Sequence, residues 1–152
     1  MHTNRYLSTA IVASLLAVNP IIGLCADKEA IHTTEAPAAI GPYSQAVKFG
    51  DTLYLSGQGA FDPKTGQAMA DATIEEQTKQ VLENLKAVLA ASGMAMSDIV
   101  STNVYLTDIG DFSKMNAVYA TFFKEIPPAR ATVEVSKLPR NLKIEISAIA
   151  RK

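Results

Sequence analysis

The sequence has no tryptophan, a single cysteine and only two histidines among 152 residues, and each scarcity removes a class of function. The cysteine, Cys25, falls inside an N-terminal segment that reads as a leader, so the remainder holds no thiol. Disulfides, thiolate catalysis and cysteine metal ligands are thereby excluded from it. His2 and His32 both lie near the N-terminus, which leaves no material for a serine–histidine pair or a histidine metal site. An excess of positive charge is lacking too. The 14 Lys and Arg are matched by 15 Asp and Glu, so no basic footprint for nucleic acid exists. The five Tyr and five Phe are not grouped as a platform for stacking bases.

Long apolar runs are also scarce. The exception is Leu7 to Val18, preceded by Arg5 and broken by Asn19-Pro20, with Leu24-Cys-Ala26 as a small-residue cleavage point. This is the layout of a secretory signal peptide over residues 1–26. The run stops short of the roughly 20 apolar residues that a spanning helix needs. Cleavage there leaves residues 27–152 as one domain, in the periplasm or secreted, with the membrane met only during export. Lipidation at Cys25 is disfavoured by the bulky Leu24 before it. The whole chain is 48% hydrophobic and 19% charged, a globular balance with room for one core.

Residues 27–38 read as a leader with one short strand at best. Ala46 to Phe49 and Thr52 to Ser56 are short strands about a Gly50-Asp51 turn. Thr73 and Glu76 have capping-box spacing, and Val81, Leu82, Leu85, Val88 and Leu89 form one apolar stripe that ends near Gly93. Ile99 to Thr107 is β-branched and strand-like. Asp111 is placed to cap a second helix, with Phe112, Met115, Val118, Tyr119 and Phe122 facing the core and Pro127-Pro128 ending the segment. Arg130 to Val135 and Leu142 to Ala150 are the last strands. The order is ββαβαββ, an α+β fold with two helices packed on one face of a mixed sheet.

Strand phase then bears on chemistry. Arg130, Thr132 and Glu134 share one side of their strand, and Lys143, Glu145, Ser147 and Ile149 one side of the last. If these two strands form a hairpin, Arg130 and Glu145 are neighbours on the face the helices leave open, a face suited to self-association. Spacing alone leaves two roles for Arg130. It is either a structural ion pair with Glu134 or Glu145, or a planar fork that grips a carboxylate. Glu145 is a tunable base in either case. Other motifs fail. Gly57-Gln-Gly59 lacks the third glycine of a dinucleotide fingerprint, since Asp62 stands there, and Lys64-Thr65 lacks the glycine of a phosphate loop.

Four separated motifs carry a resemblance. Ala38-Ala-Ile-Gly-Pro-Tyr-Ser-Gln45, Leu55-Ser-Gly-Gln58, Pro128-Ala-Arg130 and Lys143-Ile-Glu-Ile-Ser-Ala-Ile-Ala150 resemble the Rid family, reactive intermediate deaminases of the RidA type, also known as endoribonuclease L-PSP-like proteins. The resemblance runs from about residue 31 to the C-terminus. It implies a chorismate-mutase-like fold, a homotrimer with clefts between subunits, and hydrolysis of 2-imino or enamine acids to 2-oxo acids and ammonia. It further implies that Arg130 holds the substrate carboxylate and that Glu145 positions the attacking water. Tyr43, Ser56, Gly57 and Asn116 would line the cleft, and Thr132 would offer its backbone carbonyl where many members have cysteine. Ser147 stands where many have a second glutamate, and the segment from Phe123 to Pro128 is short. No cofactor or metal is implied, because an imine carbon is already electrophilic. The alternatives are an endoribonuclease acting on single-stranded RNA, which the acidic balance opposes, and a non-enzymatic holdase or small-carboxylate-binding module.

Overall fold

The computed structural model describes residues 27–152, so the leader expected over residues 1–26 lies outside the described residues. The sheet begins with strands β1 (Lys28–Ile31), β2 (Ala46–Phe49) and β3 (Thr52–Gly59). Helix α1 (Ile74–Ala91), strand β4 (Ile99–Leu106), helix α2 (Phe112–Phe122) and strands β5 (Ala129–Glu134) and β6 (Ile144–Arg151) complete it. The expected α+β fold is present, with β1 added as one more edge strand ahead of the ββαβαββ order.

Helix α1 forms where the pattern predicts it. The Thr73 hydroxyl accepts from the Glu76 amide while Glu76 accepts from the Thr73 amide, closing both ends of the capping box. The helix stops where Gly93 turns left-handed at φ 75° and the amide of Met94 returns to the carbonyl of Leu89. Val81, Leu82, Leu85, Val88 and Leu89 are fully buried against the sheet. Helix α2 begins differently from expectation. The Asp111 side chain makes no capping bond, because a 3-10 turn over Ile109–Asp111 precedes the helix and Asp108 accepts from the Gly110 amide instead. Within α2 only Met115 and Tyr119 are buried, while Phe112 is exposed and Val118 and Phe122 are half-buried.

The strand order is β1-β2-β3-β6-β4-β5, antiparallel except for the parallel pair β4 and β5. The last two strands therefore do not form the expected hairpin. The β4-α2-β5 connection is a crossover that lays β5 parallel to β4 at the sheet edge, and β6 inserts on the other side of β4. Ile144, Ile146, Ala148 and Ala150 of β6 point into the core beneath α1. Glu145, Ser147 and Ile149 alternate onto the open face with Ser101, Asn103 and Tyr105 of β4, whose paired positions they are.

Candidate active site

Register decides where the expected site residues go. Arg130 pairs with Thr102, whose buried hydroxyl shares a 2.8 Å hydrogen bond with Tyr119 of α2. Arg130 thus points to the helix side of the sheet. Glu145 pairs with Tyr105, three residues further along β4, and so points to the open side. The two lie on opposite faces of one chain, which corrects the hairpin-based expectation that they are neighbours. Period-2 alternation reports which residues share a side of a strand, but not which side meets the helices.

The surroundings of Arg130 are built by α2. Phe112, Asn116 and Tyr119, at helical spacing, present one face to it. The guanidinium carbon lies 4.6 Å from the Tyr119 ring centroid and 5.7 Å from that of Phe112, and Nη2 donates to Asn116 Oδ1 at 2.9 Å. These contacts orient a cation without neutralising it. Among the described residues the ion pair found is Lys86 with Glu83, so Arg130 has no carboxylate partner, and Glu134 instead accepts from the Ile109 amide. Burial raises the Tyr119 phenol above its ordinary range, although the bond to Thr102 and the nearby cation work against that shift. Thr132, two residues along β5 on the same side, has a buried hydroxyl with no partner among the described residues.

Glu145 belongs to a second cluster. A bulge between Leu55 and Gln58 brings Gly57 against its carboxyl group. A Cβ at Gly57 would collide with Glu145 Oε1 and lie 2.8 Å from Cδ, so only glycine lets the strand and the carboxyl approach so closely. Burial holds the Glu145 carboxyl above its usual pKa of 4.5. Gly57 and Tyr43 also line a cavity of about 410 Å³ with Pro37, Phe61 and Arg140. Ser56 does not face it. Its hydroxyl donates to the Ser44 carbonyl at 2.7 Å and its amide to Gln45, fastening the loop that carries Tyr43.

Two residues with no role assigned from sequence hold the cavity walls. Buried Gln45 accepts from the Thr33 amide and donates to the carbonyls of Thr33, Ala36 and Pro37. Asn84 of α1 donates to the carbonyls of Gly59 and Phe61. The signal that could have revealed the Arg130 shelf was the 112/116/119 spacing, which otherwise reads as plain core. Among the described residues no three His, Cys, Asp or Glu side chains converge as a metal site.

The result is a small α+β domain with an oriented arginine, free of any carboxylate partner among the described residues, on one face and a half-buried glutamate on the other. The chain belongs to the Rid family. The family profile described as Endoribonuclease L-PSP matches residues 33–152. A RutC family protein of Pyrococcus horikoshii is 54% identical over 125 residues, covering 82% of this chain and 98% of that one. A mouse protein named 2-iminobutanoate/2-iminopropanoate deaminase is 47% identical over 123 residues, covering 81% and 90%. The crystal structure of RidA from the Antarctic bacterium Psychrobacter superposes with a TM-score of 0.78 at 44% identity, covering 82% and 99%. Imine deamination is therefore an activity found within this family.

Proposed function

We propose that this protein hydrolyses 2-imino and enamine acids to 2-oxo acids and ammonia, at sites assembled between copies in a closed trimer. The observation that carries this reading is Arg130, fixed by Tyr119 and Asn116 yet paired with no carboxylate among the described residues. A guanidinium held ready in this way costs little further entropy when it grips a substrate carboxylate. One copy supplies Tyr43, Gly57 and Glu145, with Ser56 bracing the Tyr43 loop. The partner subunit's Arg130 closes the site, with Asn116 and Thr132 beside it.

With the carboxylate anchored, the imine carbon is held against a water on Glu145. Glu145 takes a proton from the water as its oxygen bonds to carbon and the C=N pair moves onto nitrogen, and it returns that proton to the nitrogen. Glu145 next takes the hydroxyl proton of the carbinolamine and passes it to the amine, so that the C–N bond breaks as the C=O bond forms, expelling ammonia and leaving the 2-oxo acid. A carboxyl raised by burial suits a group that must both take and return a proton. Residues 1–26 are read as an export leader, which places this chemistry outside the cytoplasm, on imines formed there.

The test is a 2-imino acid generated in situ by an amino-acid oxidase, with 2-oxo acid formation followed over time. Wild type is expected to accelerate it, and Arg130→Ala to lose about 10²-fold or more, the usual cost of mispositioning. Co-refolding equal amounts of Arg130→Ala and Glu145→Ala is expected to restore about a quarter of the wild-type rate, because each mixed ring regenerates one intact site and the unmixed rings none. Equal rates for wild type and Arg130→Ala would sink the reading. Rate without complementation would sink the shared site alone.

A further inference from the structure

The cavity beside Gly57 is larger than a short imino acid needs and carries charge of one sign. At about 410 Å³ it falls within the range of pockets that hold far bulkier ligands than a four-carbon acid. Arg140 is the one charged residue of its lining, and no carboxylate faces it there. Among the described residues the Arg140 side chain has neither an ion pair nor a hydrogen bond.

Its backbone is unusual as well. Arg140 and Asn141 sit at φ 57° and 56°, in the left-handed region that side chains seldom adopt. Buried Leu138 and Leu142 pin this turn on either side, and the Lys143 amide just beyond donates to buried Gln77 at 2.9 Å. The opposite wall is equally fixed. The Asp62 carboxylate accepts from the amides of Lys64 and Thr65, and Asn84 holds the carbonyls of Gly59 and Phe61. A preformed pocket with Glu145 behind one lining residue and an unpaired cation at another is built for a substrate with an anionic far end.

We propose that Arg140 receives the side-chain carboxylate of the substrate, so that the protein takes imines of acidic amino acids such as 2-iminoglutarate. This rests on the deaminase reading above. Water replaces the imine nitrogen as before, giving 2-oxoglutarate and ammonia, while the distal carboxylate stays bound and unchanged. Its fork gives Arg140 the geometry to hold that group through two charge-assisted hydrogen bonds.

The experiment compares two imines made in situ, 2-iminoglutarate from glutamate and 2-iminobutanoate from 2-aminobutanoate, each with its oxidase and catalase. The readout is the ratio of kcat/KM for the first over the second. Arg140→Gly removes the charge and relieves the left-handed backbone, and Arg140→Asn gives a second neutral side chain that tolerates it. Both are expected to lower the ratio about tenfold, chiefly through KM for 2-iminoglutarate, as loss of a charged hydrogen bond does. Arg140→Lys is expected to keep most of it. Turnover of both imines with an unchanged ratio in the neutral variants would overturn the role of Arg140 alone. Turnover of 2-iminobutanoate but not 2-iminoglutarate by wild type would overturn this proposal alone, and turnover of neither would overturn the deaminase reading with it.

Discussion

Glu145 holds a half-buried carboxyl on the open face of the sheet. Because burial raises its pKa above 4.5, the folded chain binds this proton more tightly than the unfolded chain does. The stability this group contributes is full below the unfolded value and is lost as pH rises through the folded one. Glu145→Gln removes that loss. The variant is expected to match wild type in urea midpoint below pH 4.5 and to exceed it increasingly above, whereas a constant offset across pH would contradict the cause assigned here. In the wild type, kcat/KM should rise with pH through an apparent pKa above the ordinary carboxylate value, since only the ionised group accepts a proton from water. Arg130 differs in kind. In the proposed mechanism it acts through its position, which Tyr119 and Asn116 hold.

At the scale of elements, α1 carries the cavity as much as the core. It buries a continuous apolar stripe, and from the same helix Gln77 and Asn84 reach the backbone of the loops around the pocket. The start of α1 depends on the reciprocal bonds between Thr73 and Glu76. Thr73→Ala is expected to cost about 1 kcal/mol. Denaturant titration should show this as a shifted midpoint with an unchanged slope. Helix α2 has a weaker core role and instead supplies the contacts around Arg130. Its placement over β5 comes from the parallel crossover, and that crossover turns Arg130 away from Glu145. The capping pattern and the 3.6-residue stripe made α1 plain in the sequence. The Asp111 cap did not form, because Asp108 sits three residues earlier and starts a 3-10 turn first.

For the molecule as a whole, the open sheet face and the edge strand β5 leave both half-sites at the surface of one chain. Tyr54 and Val133 are exposed apolar groups on this side, beyond the reach of either helix. The proposed closed trimer would cover such a face and bring Arg130 of one copy to Glu145 of the next without altering the fold of either. Sedimentation of the protein recovered from an exporting cell is expected to give a trimer at micromolar concentration. Its subunit mass should correspond to a chain beginning at Asp27. A monomer would remove the shared site, and an intact N-terminus would remove the export reading.

Most elements, the cap of α1 and the family were legible in the order of residues, because hydrophobic period, cap spacing and four short motifs are local properties. Arg130, Glu145, Gly57 and Asn116 could be named before any strand was placed. Their arrangement could not. Pairing β5 with β4 rather than β6 is a long-range choice, made by the packing of α2 and by the central position of β6. That choice put the arginine and the glutamate on opposite faces. It was the tertiary structure, too, that gathered Gly57, Phe61 and Arg140 around one cavity, because residues so far apart in sequence meet only when a bulge, a pinned turn and a helix close on the same space.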